Sequence, residues 1–499
     1  MRRFCRDRKI RGGRFPIRSV SPLSLKVLLL IFVLCPPLVY CFHRVQMDDP
    51  YITFRYARNL TEGHGLFYNP GESVLGTTSP LFAILLGLGG HVARDYALLS
   101  SIVSGVALGA LAWLTYIILR RFKEPIAGAV AAGLIITNPL MGDALGFELN
   151  LFLALVFGGF AAYFSGRPGL AAALLALASL TRGDGLVPSG VVLGHHLWKH
   201  REQGLLPVLI FGAIFGSWFA DAAYTYGSPF PNTLAAKKAM GASGLWRTYI
   251  EGALRIGFVY LRMSPAFLWF GLVAIFGAAA LLVFDRRIWM ILGSVLLTSI
   301  TYVVMGIPEG FNYYAGWMPA LMILSGIGVV KLAELIRLQW PAWPGKWVVI
   351  AAALPLLVAQ MTPILKDISI DPEPRYEIYR QAGEWLNLET PDKASIAMVE
   401  IGILGYFSRR KIVDICGLVT PEVGSHLTSR DVSWSVRTLK PDYVILHDPL
   451  WTTLEGPIGS AGWFQEDYTK IKTFDGEEPY ILALYQKRNL DTGTGSTQQ

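Results

Sequence analysis

The sequence predicts a polytopic α-helical membrane protein of about eleven transmembrane helices, followed by a C-terminal extracytoplasmic α/β domain. Of the 499 residues, 53% are hydrophobic and 16% are charged, against roughly 25% charged residues in soluble domains. Apolar runs approaching the roughly 20 residues that cross a bilayer recur between residues 25 and 362. Beyond residue 366 the hydropathy falls, and short alternating apolar segments indicate strands and helices in water.

The net charge of +8 is concentrated at the N-terminus. Residues 1–18 hold eight Arg or Lys and one Asp, a net +7, so the rest of the chain is nearly neutral. This distribution excludes a nucleic-acid partner. Because basic residues collect on the cytoplasmic side of membrane proteins, we predict a multi-pass protein of the cell membrane. Its N-terminus is expected in the cytoplasm and its C-terminal domain outside it.

The spans follow from length and from the basic loops between them. Residues 81–92 form a short apolar run, but counting it as a span would place Arg120, Arg121 and Lys123 outside. We therefore predict that this run is re-entrant. The predicted spans are 25–42, 97–119, 126–136, 151–164, 170–180, 186–198, 205–224, 265–284, 288–305, 317–336 and 347–362.

Four regions are predicted from composition. Residues 1–24 form a basic cytoplasmic tail, 25–364 a membrane domain, 365–490 the extracytoplasmic domain, and 491–499 a polar tail expected to be disordered. The outer domain is predicted to contain helices or helical turns at 376–388, 403–407 and 432–439, and strands at 395–399, 411–415, 443–447 and 480–486.

The first outer loop, residues 47–80, carries the most distinctive chemistry. Asp48 and Asp49 are adjacent carboxylates at the expected membrane surface. Asp49 followed by Pro50 is typical of a helix N-cap and first helical position, which would leave Asp48 as a general base. Simple capping explains Asp49 but not Asp48. A divalent cation at the pair is left open by the sequence.

Cations and polar residues of the outer loops are candidates for binding an anionic substrate. Each has a plainer interpretation: an interfacial arginine, a mutual ion pair between Arg182 and Asp184, a long loop or the aromatic belt. The predicted donor-phosphate ligands are Arg55, Arg58, Arg182 and Lys237. The predicted substrate ligands are Asn232, Glu309 and Asn312.

The stretch D-D-x-Y-I-T-F-R-Y-A-R-N-L-x-x-G-x-G-L-x-x-N-P-G-E-x-V-x-G-x-T-S-P-L from Asp48 resembles the first outer loop of GT-C membrane glycosyltransferases. The closest resemblance is to the terminal arabinofuranosyltransferases of mycobacteria. Shorter matches lie at Thr181–Gly185 and Pro231–Lys237. Two more lie in the outer domain, at 405–408 and 413–418.

This resemblance implies a GT-C fold and a catalytic role for Asp48 and Asp49. It also implies a sugar donor on a polyprenyl phosphate and a glycan, lipid or protein acceptor on the extracytoplasmic face. The alternative function is a transporter or flippase of lipid-linked sugars. That alternative predicts ionisable residues in mid-span and broken helices in symmetric halves, whereas the acidic residues of this chain cluster in its outer loops.

Overall fold

The computed structural model describes residues 21–42, 45, 47–200, 204–281, 285–369, 374–476 and 480–488. The predicted tail at 491–499 and most of the predicted basic tail lie outside these residues. The described chain forms a bundle of apolar helices and, after it, a small domain built on one five-stranded sheet. The polytopic helical class and the C-terminal α/β domain are confirmed.

The membrane domain contains seventeen helices in its described residues. Proline stands at the first or second position of several of them, where its missing N–H costs no hydrogen bond. In chain order the helices are α1 (Pro22–Phe42), α2 (Asp48–Thr61), α3 (Pro80–Gly90), α4 (Tyr96–Arg121), α5 (Pro125–Ile136), α6 (Pro139–Asp143), α7 (Leu149–Phe164), α8 (Pro168–Thr181), α9 (Leu186–His200), α10 (Leu205–Tyr226), α11 (Asn232–Ser243), α12 (Tyr249–Met263), α13 (Ala266–Ala280), α14 (Ile288–Val304), α15 (Phe311–Ala315), α16 (Met318–Gln339) and α17 (Gly345–Ser369).

Five stretches of the described residues are long and apolar enough to cross a membrane, namely α1, α4, α10, α15 with α16, and α17. Six shorter apolar helices accompany them, namely α3, α5, α7, α8, α13 and α14. The exact number of eleven spans therefore stays a prediction.

Small residues bring the central helices close together. A Cβ atom on Gly326 of α16 would lie 2.4 Å from the carbonyl oxygen of Ala127 in α5. A Cβ atom on Gly277 of α13 would lie 1.9 Å from the carbonyl oxygen of Leu324. Such contacts between backbones are the usual basis of helix packing in a bilayer, where apolar burial gives little drive.

The outer domain has the sheet order β2-β1-β3-β5-β4, with β1 parallel to β2 and β3 and the other pairs antiparallel. Sequence prediction missed β4, because its polar and lysine-rich outer positions weaken the apolar signal of an edge strand. The elements are α18 (Pro374–Glu389), β1 (Ser395–Met398), α19 (Gly402–Ser408), β2 (Lys411–Asp414), α20 (Val423–Thr428), α21 (Trp434–Leu439), β3 (Tyr443–His447), α22 (Gly456–Gly459), α23 (Gly462–Asp467), β4 (Tyr468–Phe474) and β5 (Leu482–Lys487).

The strand β1 lies between β2 and β3, so the connection from β1 to β2 and the connection from β2 to β3 run in opposite directions along the sheet. In open α/β sheets the crevice outside the carboxyl end of such a strand is the usual place for a ligand. Three polar groups gather at this edge, because Glu400 follows β1 while Asp414 and His447 end β2 and β3.

The first outer loop and the outer domain share one apolar core. Tyr51, Phe54 and Tyr56 of α2 belong to the same buried cluster as Ile401 and Leu404 of the outer domain. The loop is therefore packed against the domain, and the two are held in a fixed relation at this point.

Candidate active site

The first outer helix begins two residues earlier than the sequence predicts. Its first residue is Asp48, its N-cap residue is Met47, and no side chain caps it. The predicted capping role of Asp49 is therefore wrong. Asp49 lies exposed in the first turn, whereas Asp48 is buried.

The carboxylate of Asp48 is bound by the outer domain. It accepts the backbone N–H of Gly402 at 2.8 Å and that of Ile403 at 2.7 Å, one on each oxygen. These amides open α19 and have no carbonyl partner within that helix, so a carboxylate satisfies them. The predicted role of Asp48 as the free base is contradicted by these contacts, and Asp49 is the carboxylate that faces outward.

Burial is the main cause that raises the pKa of Asp48, to about 8. The carboxylate of Glu400 raises this pKa further, the amide of Ile403 opposes the rise, and Asp49 adds to it. A protonated, buried acid of this kind is poorly placed to take a proton from an incoming hydroxyl group.

Arg55 is saturated by protein groups, which contradicts its predicted role as a phosphate ligand. Only 2% of it is exposed, and every nitrogen of its guanidinium that can donate is engaged. The acceptors are the carbonyl oxygens of Tyr68 (2.8 Å), Gly405 (2.6 Å) and Arg410 (2.7 Å) and the side chain of Asn69 (3.1 Å). Arg55 thus ties α2 to the outer domain.

Arg58 has a similar position one turn later. It donates to the carbonyl oxygen of Tyr406 at 2.5 Å, and its guanidinium lies 4.7 Å from the centre of the Tyr406 ring. Burial lowers the pKa of Arg58 to about 10. The predicted phosphate contact of Arg58 is not supported by this placement, which also joins α2 to α19.

Lys237 is the predicted phosphate ligand whose placement agrees best with that role. Its ammonium donates to the Tyr313 hydroxyl at 2.6 Å. Burial disfavours the charge of Lys237, but Tyr313 and the carboxylate of Asp49 outweigh burial and raise the lysine pKa, against the opposing charge of Arg182. Lys237 and Asp49 therefore lie within electrostatic reach of each other.

Arg182 lies beside this pair in a buried ion cluster. It donates to Glu148 at 2.8 Å, to Asp184 at 3.2 Å and to the Tyr302 hydroxyl at 3.4 Å. Tyr302 in turn donates to Asp184. The sequence left open whether Arg182 and Asp184 pair with each other or belong to a site, and the structure shows that they pair. The positive charge of Arg182 still lies 5.9 Å from the Tyr313 ring centre.

A narrow apolar groove ends at this cluster. Its walls come from α7 and α14, with Leu149 at one end of the α7 wall and Phe160 at the other, a helical distance of about 16 Å. Asp184, Tyr302 and Tyr313 line the end nearest Lys237. The arrangement places charged and polar side chains next to an apolar groove.

The three predicted substrate ligands are placed in different surroundings. The Asn232 side chain donates to the carbonyl oxygens of Gly417 and Leu418 at 2.8 and 3.0 Å, so it fastens α11 to the outer domain. This placement does not support its predicted substrate contact, which stays a prediction. Glu309 forms ion pairs with Arg247 and Arg255 at 3.2 and 3.1 Å. Asn312 lines the groove, and its substrate contact stays a prediction.

Both halves of the site are therefore held by the outer domain. Asp48, Arg55 and Arg58 secure the helix that carries Asp49. Asn232 secures the helix that carries Lys237. Tyr313 was not among the predicted ligands, and its position directly after Asn312, a predicted substrate ligand, was the local signal for it.

Among the described residues, no three His, Cys, Asp or Glu side chains are grouped closely enough to hold a metal ion. Both oxygens of Asp48 already accept amide hydrogens. A divalent cation at the aspartate pair stays a proposal.

The arrangement of helices and outer domain agrees with that of known structures. ArnT from Cupriavidus metallidurans, bound to undecaprenyl phosphate, superposes with a TM-score of 0.57 at 12% identity, covering 93% of this chain and 98% of that chain. The Archaeoglobus fulgidus oligosaccharyltransferase, tethered with an acceptor peptide, gives 0.54 at 13% identity, covering 90% of this chain and 72% of that one. The chain has the GT-C fold.

Two further comparisons concern the sequence. Residues 367–493 match a family model described as a domain of unknown function (DUF8728). This match covers the outer domain, which supplies the amides bound by Asp48. No curated protein matches the sequence.

Proposed function

We propose that this protein is a membrane glycosyltransferase that moves a sugar from a polyprenyl-phosphate donor to an acceptor on the extracytoplasmic face. The observation that carries the proposal is the position of Lys237, whose ammonium donates to Tyr313 beside the apolar groove and feels the charge of Asp49. The phosphate of such a donor requires a cation, and Lys237 supplies one next to the carboxylate that we propose as the base.

Lys237 and Tyr313 suit a phosphate by their donors. Among the described residues, Lys237 donates one hydrogen bond, to Tyr313, and its ammonium group has three N–H donors. Because the Tyr313 oxygen accepts that hydrogen, its own O–H can point elsewhere. The charge of the nearby Arg182 is already paired with Glu148 and Asp184, so Lys237 is the cation that we assign to the phosphate. That undecaprenyl phosphate is bound by ArnT, a protein of the same fold, supports this choice of donor.

The proposed step is a direct displacement at the anomeric carbon of the donor sugar. Asp49 takes the proton of the acceptor hydroxyl, and the acceptor oxygen forms a bond to the anomeric carbon. The bond between that carbon and the phosphate oxygen breaks, and its electron pair leaves with the polyprenyl phosphate. Lys237 and Tyr313 stabilise the leaving phosphate, because fixed charges act most strongly where charge develops away from bulk water.

The test uses the purified full-length protein in lipid nanodiscs with a panel of synthetic polyprenyl-phosphate pentoses and hexoses. Release of polyprenyl phosphate is followed by mass spectrometry in the presence of membrane glycans. Asp49→Asn should lower turnover by about 10²–10⁴-fold, since it removes the proposed base. Lys237→Ala should lower it by about 10²-fold and weaken binding of polyprenyl monophosphate.

Asp95→Asn is the matched control, because Asp95 caps α4 by accepting the N–H of Leu98 and asparagine caps a helix about as well as aspartate. Full turnover by Asp49→Asn would refute the role of Asp49. Turnover that survives both Asp49→Asn and Lys237→Ala would refute the placement of the active site. Equal inactivation by Asp48→Asn and Asp49→Asn would instead favour a divalent cation bridging the pair.

A further inference from the structure

The helix α12 carries an apolar surface that the described part of the chain leaves exposed. Ile250, Leu254 and Phe258 are 55%, 59% and 62% exposed. Their spacing of four residues places them on one side of the helix, which we call the apolar sector. The proposed transfer reaction uses none of these side chains.

A charged sector borders the apolar sector along the same helix. Glu251, Arg255 and Arg262 project within about 40° of one another, because successive residues of a helix are turned by about 100°. Glu251 is engaged in capping the helix with Thr248. Arg255 is half-exposed, and Arg262 is exposed in the last turn. The free end of this sector is therefore positively charged.

The third side of α12 is fixed to the segment that lines the proposed site. The Tyr314 hydroxyl donates to the carbonyl oxygen of Tyr249 at 2.7 Å, and the Trp317 ring N–H donates to the Tyr249 hydroxyl at 3.1 Å. A Cβ atom on Gly252 would lie 2.3 Å from the Tyr314 hydroxyl oxygen. The helix is thus packed closely against α15, which also carries Tyr313.

The helix that follows α12 indicates what covers the apolar sector. After a two-residue joint comes α13, an apolar helix. The rings of Tyr260 and Phe267 meet across this joint with their centres 5.1 Å apart. Leu268, Leu272 and Ile275 of α13 are exposed, and in a multi-pass membrane protein such a surface faces lipid. The apolar sector of α12 therefore adjoins a lipid-facing helix.

We propose that α12 lies flat on the outer surface of the membrane, with its apolar sector among the acyl chains and Arg255 and Arg262 at the phosphates of anionic phospholipids. Helices that carry an apolar face beside a row of cations bind membrane surfaces in this way. Burial of the apolar face supplies affinity, and the cations add a preference for anionic lipids.

The contact has a consequence for the site. Because α12 is fixed to α15, the depth of α12 in the membrane sets the depth of Tyr313, close to the level of the lipid phosphates. This consequence rests on the proposed function, in which Tyr313 and Lys237 hold the donor phosphate. The contact of α12 with lipid does not depend on that function and is measured without activity.

The experiment is photo-crosslinking of the full-length protein in nanodiscs that contain equal amounts of phosphatidylglycerol and phosphatidylcholine. The photoreactive residue p-benzoylphenylalanine stands in place of Leu254 in one variant and of Phe258 in another, so each position checks the other. Mass spectrometry of the irradiated protein identifies the adducts. We expect lipid adducts at both positions, with phosphatidylglycerol enriched over its share of the nanodisc.

Leu388 is the matched control position, since it is an exposed leucine of the outer domain. It lies just before the amino end of β1, whereas the amides that bind Asp48 follow the carboxyl end of that strand. The same photoreactive residue in place of Leu388 should therefore give no lipid adduct.

The cations are tested with the photoreactive residue kept at position 254. Arg262→Gln should lower the enrichment of phosphatidylglycerol by about fivefold, the effect of one cation near an anionic membrane surface. Lys393→Gln is the matched control, because it also removes one exposed cation but lies in the outer domain before β1. Its enrichment should equal that of the parent protein.

Three results would overturn the proposal. A covalent dimer in place of lipid adducts would show that a second copy of the chain covers the apolar sector. Absence of adducts at both positions would show that α12 does not reach the membrane. Enrichment that Arg262→Gln leaves unchanged would refute the contact with anionic lipids. None of these results involves turnover, so the proposed function is judged separately by the transfer assay.

Discussion

Replacing Asp48 by asparagine should change the stability of the protein in a way that depends on pH. The substitution removes a buried charge and puts an NH₂ group where one carboxylate oxygen accepts an amide hydrogen of Gly402 or Ile403. One of those amides then loses its acceptor. A buried donor left without a partner costs about 1–3 kcal/mol.

The opposing effect is stabilising, because the substitution removes a buried carboxylate whose ionisation is unfavourable. The pKa of Asp48 is raised to about 8, roughly four units above that of a free aspartate, and each unit corresponds to about 1.4 kcal/mol. The raised pKa of Asp48 therefore destabilises the native state by about 5 kcal/mol at pH 8 and by only about 1.5 kcal/mol at pH 5. We expect Asp48→Asn to match the parent protein near pH 5 and to exceed its stability by about 2–4 kcal/mol near pH 8.

Thermal unfolding of the full-length protein in nanodiscs, followed by the fluorescence of its 14 tryptophans, measures this difference. The apparent melting temperature of Asp48→Asn should be several degrees above that of the parent protein at pH 8, with the two converging at pH 5. Asp95→Asn should show no such dependence. The reasoning would be refuted if the melting temperature of Asp48→Asn were lower than that of the parent protein by the same amount at both pH values. The two amide contacts would then outweigh the cost of the buried charge.

Three further outcomes are expected. Arg55→Lys should lower the apparent melting temperature, because lysine cannot replace four bonds whose loss costs about 1.5–3 kcal/mol each for a charged donor. Arg94 is exposed, so Arg94→Lys should leave the melting temperature unchanged. Equal decreases for both variants would refute the role of Arg55 in joining α2 to the outer domain. A reporter enzyme fused after Gln499 should be active only outside the cytoplasm, and cytoplasmic activity would overturn the predicted orientation. Residues 365–490 expressed alone should give a mixed α/β circular dichroism spectrum and no transfer, and turnover by this fragment would move the active site away from Asp49.

Composition and periodicity were sufficient for the outline of the molecule. Apolar runs of membrane length predicted the helical bundle, and the fall in hydropathy near residue 366 predicted the outer domain. Four of its strands were predicted because they are short apolar runs, as in Tyr443–His447, where every residue is buried. The edge strand Tyr468–Phe474 was not, since three successive positions within it are exposed.

The sequence analysis singled out the first outer loop for its charged residues, but it assigned the wrong roles to Asp48 and Arg55. Two of the three carbonyl oxygens that bind Arg55 belong to residues 350 and 355 positions away. The amides that bind Asp48 are as distant. A local pattern shows that a carboxylate or guanidinium needs a partner, but it does not show whether that partner is a substrate or a remote part of the same chain.

The topology of the outer domain explains why Asp48 is engaged and Asp49 is not. The crevice outside the carboxyl end of β1 is where an open α/β sheet offers amides to a ligand, and in this chain the carboxylate of Asp48 occupies it. Because successive residues of a helix point about 100° apart, seating Asp48 there turns Asp49 away from the domain and toward Lys237. The outer domain thus binds the first loop as other α/β domains bind a ligand, and it thereby sets the geometry of the site that we propose for transfer.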